Sequence, residues 1–342
     1  MKALLKSRGW IFLLWALVAV GCADKGPLRE QVYQGGALGT SYAIKVFTAD
    51  TTDLQPQIDS VFKVVNQSLS TYLPGSDISR INDGDTSVVV DAMFAEVFKA
   101  SLEIHRQTDG YFDPTVGVLV DAWGFGPGAA QEMDSTRVDS LLHYVGLKKV
   151  QLTPDSRIVM ETPGIRLDFN AIAKGYAVDR LGLMLEGRGV SDYLVEVGGE
   201  LRTLGMNQLK KQPWVVGIDD PQVLDGRRIK QIITLSDRAM ASSGNYRKFR
   251  VDSTTGKKFV HTIDPRTGFT RDSRILAVSV LAQTCMVADG YATAFMAMDL
   301  ERSMDIFEAN PNLEGYIVYL NDEGTAEEYM TPGFESLLQQ DL

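Results

Sequence analysis

Cysteine is nearly absent from this chain, at 2 residues in 342, and histidine is scarce, at 3. No cysteine pair has zinc-site spacing and no His-Glu-x-x-His run occurs, which excludes the common zinc centres. A Gly-x-Ser-x-Gly elbow, a P-loop and a Gly-x-Gly-x-x-Gly run after a strand are missing too. A nucleotide, if one binds, is therefore not held by a Walker or Rossmann loop. Beyond residue 21 no stretch approaches 18 consecutive apolar residues, so no transmembrane helix is expected. Positive charge is also short: the net charge of −10 argues against a nucleic-acid partner gripped through its phosphates. No short-period repeat, low-complexity segment or linker between independent domains is visible.

What is present begins at the N-terminus. Lys2, Lys6 and Arg8 precede an apolar run, Trp10 to Val20. That run is too short to span a bilayer, and residues 1–21 read as an export signal. Ala19-Val20-Gly21-Cys22 resembles a bacterial lipobox, with Ala where Leu is usual. The expected product is cut before Cys22 and carries lipid there, anchoring an otherwise soluble body. In the alternative, a plain signal peptide, Cys22 is incidental. With Cys22 lipidated, Cys285 has no intrachain partner and reads as a small buried packing residue. Residues 22–36 are polar and glycine-containing, a tether by composition. Residues 37–335 then form the body, long enough for one large domain or two tightly associated lobes.

Alternation predicts a strand over Tyr42–Phe47. Helical spacing marks Ile58 to Leu69, Phe94 to Ile104 and Val138 to Val145, with a short helical turn at Ser76–Asn82. Gly164–Phe169 reads as a strand, and Asn170 as the cap of a helix whose apolar face runs Ala173, Tyr176, Ala177, Leu181, Met184. Ser191–Leu204 reads as two strands turning at Gly198-Gly199. Further strands are expected at Pro213–Asp219, Ile229–Leu235, Phe259–Asp264, Ile275–Leu281 and Tyr316–Leu320. Ala241–Tyr246 reads as a polar turn, and Gln283–Met298 as a helix. Mixed elements with several late hairpins indicate an α+β fold rather than a βαβ repeat.

Three places carry chemistry. At Asp168–Tyr176 a strand running into a helix N-terminus leaves unpaired N–H groups that suit a phosphate, with Asp168 at the rim and Lys174 one turn in. An ordinary capped junction is the plainer alternative. Asp289 and Thr293 are four apart on a predicted helix, so they share a face among apolar residues. A carboxylate there needs a partner, and with a hydroxyl it suits a hard cation such as Mg²⁺; local capping is the alternative. His261 leaves a strand, where it could serve as general base or phosphate contact, or be structural. The aromatic and glycine runs at Tyr111–Gly117 and Trp123–Gly128 suit stacking on a ring system or ordinary loop packing.

The ordered set extends further. It comprises Leu38-Gly39-Thr40-Ser41-Tyr42, Ser70-Thr71-Tyr72 with Ser76–Asn82, Phe112-Asp113-Pro114-Thr115 with Trp123–Gly126, Asp168–Tyr176, Gly198-Gly199-Glu200, His261–Gly268, and Ala288-Asp289 with Ala292-Thr293. Together these resemble the FAD:protein FMN transferase family, the ApbE-like proteins also called thiamine-biosynthesis lipoproteins. The resemblance implies two intimately packed lobes of mixed, largely antiparallel sheet with helices, holding FAD between them and Mg²⁺ at its diphosphate. Such enzymes cleave FAD and place FMN, through a phosphoester, on a Thr or Ser of an exported acceptor protein of the redox-complex type, and AMP leaves. Some instead hydrolyse FAD to FMN and AMP. A lipoprotein that binds FAD without turnover is a further reading. Carried over by position, the metal falls to Asp289, Thr293 and the Ala171 carbonyl. The catalytic residues are His261, as base, and Asp289. FAD contacts fall to Leu38, Tyr72, Phe112, Asp113, Asp168, Lys174, His261 and Ile263. The implied place is the bacterial cell envelope, lipid-anchored at Cys22 and facing the periplasm or another extracytoplasmic side.

Overall fold

The computed structural model describes residues 26–223, 226–245, 249–251, 258–271 and 273–339. The export signal and Cys22 therefore lie outside the described residues. In chain order the elements are β1 (Arg29–Ala37), β2 (Thr40–Thr48), α1 (Gln55–Leu69), α2 (Asp77–Asn82), α3 (Ala92–Gln107), α4 (Gly117–Ala122), α5 (Ser135–Leu142), β3 (Val150–Leu152), β4 (Ile158–Met160) and α6 (Ala173–Glu186). They continue with β5 (Asp192–Val197), β6 (Glu200–Leu204), β7 (Trp214–Asp219), β8 (Ile229–Leu235), β9 (Ala239–Gly244), β10 (Phe249–Val251), β11 (Lys258–Val260), β12 (Ile275–Ala282), α7 (Cys285–Ala297), α8 (Leu300–Ala309), β13 (Glu314–Leu320), β14 (Ala326–Met330) and α9 (Pro332–Glu335).

Among the described residues, eight strands make one sheet in the order β1-β2-β5-β6-β9-β12-β13-β14. Each neighbouring pair is antiparallel, as the late hairpins imply. Strand side chains alternate between faces, and here both faces are covered. Ile44 and Val46 of β2 and Val195 and Val197 of β5 pack with Val178 and Leu181 of α6 and Ile58 of α1. Val278, Val280 and Ile317 join the cluster that includes Phe94 and Phe98 of α3 and Phe295 of α7. On the opposite face Leu201, Met240, Leu281 and Val318 pack against Val216 and Ile233 of the β7–β8 hairpin and Phe334 of α9. Each such side chain contributes about 1.5–3 kcal/mol when fully buried.

Five local expectations are corrected. The proposed tether is in large part strand β1, paired residue for residue with β2 from Arg29↔Thr48 to Ala37↔Thr40. It is an edge strand with mostly exposed side chains, so its composition resembles a linker while its backbone is paired along one side with β2. Ala241–Gly244 is not a turn but part of β9, held between β6 and β12; its small polar side chains hide a strand decided by long-range pairing. Gly164–Phe169 makes only an isolated parallel bridge, Arg166 to Val116, and the Asp168 N–H donates to the Pro114 carbonyl at 2.7 Å. Asn170 does not cap α6: the cap position is Ile172, without a side-chain bond. Beyond β11, Ile263 makes only an isolated bridge to Thr270.

Candidate active site

The site forms where α6 crosses α7. A Cβ on Gly175 would collide with the Cys285 carbonyl and lie 2.8 Å from the Asp289 Cβ, so glycine is what lets the helices touch. At this contact the Gly175 N–H donates to Asp289 Oδ2 at 3.0 Å. One turn along α6, the Asp179 carboxylate accepts from the backbone N–H of Cys285 (2.9 Å) and of Met286 (2.8 Å). This satisfies N–H groups that a helix start leaves open and fixes the start of α7. The expected buried, packing role of Cys285 is borne out.

Asp289 is only 3% exposed. Burial pushes its carboxyl above the ordinary aspartate value, against the opposing pull of Lys174 and the Gly175 N–H. Lys174 donates to Glu200 Oε1 at 2.5 Å. Burial works against the Lys174 charge, but Glu200 and Asp289 outweigh it and hold the ammonium above its usual value. Glu200, 2% exposed, is pushed up to about 8 by burial, with Lys174 pulling the other way. Asp168 is also buried, and burial raises it although Asn170 N–H donates to its Oδ1 at 2.7 Å.

The junction differs from a phosphate cradle in which every N–H is free. Asn170 N–H goes to Asp168, those of Ile172 and Ala173 go to the Phe169 carbonyl, and that of Gly175 goes to Asp289. What it presents instead are carboxylate and carbonyl oxygens and one ammonium.

These groups face a cleft of about 1450 Å³, larger than the roughly 300–1,000 Å³ of pockets for drug-sized ligands. Ala171, Asp289, Thr293, Lys174 and Asp168 line it. So do His261, Ile263, Leu38, Tyr72, Phe112 and Asp113. The fold thus brings all of the described candidate residues to one wall system. Their exposure differs: Tyr72 is 59% exposed and its hydroxyl reaches the Phe125 carbonyl at 3.4 Å, whereas Phe112 and Ile263 are buried. The Asp113 carboxylate is committed to its own loop, accepting from Thr115 N–H (2.8 Å), the Thr115 hydroxyl (2.5 Å) and Leu147 N–H (3.0 Å). Leu38 has φ 51° and Gly39 φ 75°, the turn that joins β1 to β2 in a two-residue link.

Of the two uses expected of the aromatic and glycine runs, loop packing is seen directly. Trp123 is buried and donates through Nε1 to the Gly268 carbonyl at 2.9 Å, so it packs the loop. Phe125 lines the cleft and meets the His261 ring edge-on, centroids 6.5 Å apart. Two residues that build the site carried no role from the sequence. Glu200 had a signal, a lone acid directly after the Gly198-Gly199 turn. Gly175 had none apart from its place inside a helix, where glycine is costly.

Residues 38–317 match the ApbE family. The chain belongs to that family. It is 34% identical to the FAD:protein FMN transferase of Vibrio cholerae serotype O1 over 346 aligned residues, covering 97% of this chain and all of the relative. With the Haemophilus influenzae FAD:protein FMN transferase it shares 33% identity, covering 92% of this chain and 93% of that one. Among solved structures, the flavin transferase ApbE from Vibrio cholerae superposes with a TM-score of 0.80 at 33% identity, over 91% of this chain and 100% of that chain. The Pseudomonas stutzeri flavinyl transferase ApbE in its apo form gives 0.80 at 27% identity, over 92% and 98%. The ApbE-like α+β fold with antiparallel sheet expected from the motifs is borne out.

Proposed function

We propose that this chain is an FAD:protein FMN transferase, moving FMN from FAD to a Thr or Ser hydroxyl of an exported acceptor protein and releasing AMP. The observation that carries the reading is the convergence of Asp289, Thr293, Ala171, Lys174 and His261 on one large cleft, in a chain that aligns end to end with proteins of that name.

The donor set fits Mg²⁺. Asp289 is a buried carboxylate that accepts, among the described residues, one hydrogen bond, from Gly175. Thr293 lies one turn along α7 and adds a hydroxyl, and Ala171, which lines the same cleft, would add its carbonyl. All three are hard oxygen donors. Among the described residues no three His, Cys, Asp or Glu side chains cluster to hold a metal, which suits an ion that keeps water and phosphate oxygens in its shell. When bound, Mg²⁺ supplies charge neutralisation at the diphosphate and on the departing AMP.

Phosphoryl transfer is chiefly positioning and charge stabilisation. The acceptor oxygen attacks the FMN-side phosphorus, the anhydride P–O bond breaks, and AMP takes the electron pair. His261 takes the hydroxyl proton as general base. Lys174, held by Glu200, sets a positive charge beside the diphosphate. Leu38, Tyr72, Phe112 and Ile263 offer apolar and aromatic surface to the rings, while Asp113 contributes through the loop it braces. Asp168 completes the wall beside Ala171. The body is anchored through lipid on Cys22 and works outside the cytoplasm; among the described residues no helix is long and apolar enough to cross a membrane.

The test is mass spectrometry of a Thr-containing acceptor domain after incubation with FAD and Mg²⁺. An added FMN mass, lost in Asp289→Ala and with EDTA, is expected. FAD consumed to FMN and AMP with no adduct would replace the transferase by an FAD pyrophosphatase. FAD bound and left intact would make the protein a flavin-binding lipoprotein.

A further inference from the structure

Glu200 is the first residue of β6, directly after the Gly198-Gly199 turn, and it lies on the cleft wall. Its Oε1 accepts from the Lys174 ammonium at 2.5 Å. Its Oε2 is buried and has no hydrogen-bond partner among the described residues. A buried acceptor without a partner is costly, and folds rarely leave one without a use.

We propose that Glu200 reads the substrate: Oε2 pairs by a hydrogen bond with a sugar hydroxyl of the bound dinucleotide, on the ribityl chain or on the ribose, while Oε1 holds Lys174. This rests on the reading that the cleft takes FAD. The choice of a hydroxyl follows from what stands around the oxygen. Glu200 sits beside Lys174 and feels the charge of Asp289, the groups assigned above to the diphosphate end. A sugar hydroxyl both donates and accepts, so it pairs with this carboxyl whether the proton is on or off, whereas a phosphate oxygen offers no hydrogen to the ionised form. The next groups along either arm of FAD are sugar hydroxyls, which are donors; the N–H groups of the two ring systems lie farther out. A site built to pair a substrate hydroxyl discriminates strongly against an analogue lacking it, because the protein oxygen is then left alone.

The experiment pairs deletion of the ligand hydroxyl with deletion of the side chain. Binding of FAD, and of analogues each lacking one ribityl or one ribose hydroxyl, is followed by flavin fluorescence in EDTA, where no Mg²⁺-dependent turnover intrudes. Wild type, Glu200→Gln and Glu200→Met are compared, with circular dichroism to confirm folding. One analogue is expected to bind wild type about tenfold more weakly than FAD, the scale of one hydrogen bond to a buried protein group. The same deletion should cost less than about twofold in Glu200→Met, since the partner is already gone. Which analogue behaves so tells ribityl from ribose. Equal costs in wild type and variants for all analogues would overturn the inference, leaving Glu200 to act only through Lys174. Should neither variant fold, the wild-type series still decides, because no single deletion weakening binding would overturn it. Wild type that binds FAD without this coupling sinks the inference alone. Wild type that binds FAD neither in EDTA nor with Mg²⁺ present sinks the proposed function with it.

Discussion

The backbone N–H of Gly175 donates to Asp289 Oδ2 at 3.0 Å, across 114 residues of sequence. The bond exists because Gly175 has no side chain to hold α6 away from the Cys285 carbonyl. Gly175→Ala should therefore separate the helices. Overpacking of this kind costs about 1–3 kcal/mol, so the melting temperature should fall by several degrees. Flavin transfer should fall further than the loss of folded protein explains. A variant with the wild-type melting temperature and rate would show that the contact does not set the site.

Asp289→Asn tests whether the buried carboxylate is kept for function. It removes a desolvated charge and keeps an oxygen for the Gly175 N–H. In EDTA its melting temperature should equal or exceed that of wild type, since a poorly compensated buried charge is destabilising. Transfer to an acceptor should drop by about a hundredfold or more as a charged ligand is lost. A clearly less stable variant would mark Asp289 as a structural residue.

His261→Ala separates chemistry from binding. Loss of a general base lowers turnover by roughly 10²–10⁴, while the FAD dissociation constant should stay close to wild type. An affinity loss that matches the rate loss would make His261 a binding residue instead. Single-turnover adduct formation and fluorescence titration supply the two readouts.

The pH dependence of the apo protein follows from Glu200. Burial raises this carboxyl to about 8, so the folded state keeps a proton that the unfolded chain has already released. The unfolded state then binds fewer protons, and stability falls as pH rises. The loss begins above the ordinary glutamate value and is complete above about 8. Lys174, held above its usual value by Glu200 and Asp289, changes stability in the same direction at still higher pH. Melting curves of wild type and Glu200→Gln between pH 5 and 9 should diverge, with the variant flatter (roughly the window set by the two glutamate values). Parallel curves would remove Glu200 as the source.

Much of the site was legible because its parts are local. Asp289 and Thr293 share a face of α7 for the reason that four residues make about one helical turn, and the helix runs Cys285–Ala297, inside the expected Gln283–Met298. Other parts were not local. The polar residues of β1 read as a tether because pairing, rather than burial, makes that strand. The junction at Asp168–Tyr176 suggested free N–H groups, and four of them, those of Asn170, Ile172, Ala173 and Gly175, are occupied by Asp168, Phe169 and Asp289. Asp113 stood among the candidate contacts, yet its side chain turns to Thr115 and Leu147.

By itself, the order of short motifs determined the family and the α+β class, and the period of the apolar residues determined most helices and strands. Both depend on neighbours in the chain. Only the tertiary structure decided that Lys174 meets Glu200, that Gly175 meets Asp289, and that Glu200 keeps one oxygen without a partner among the described residues. Those relationships join segments 26 and 114 residues apart, and each depends on packing that brings two backbones close enough for one side chain, or the absence of one, to matter.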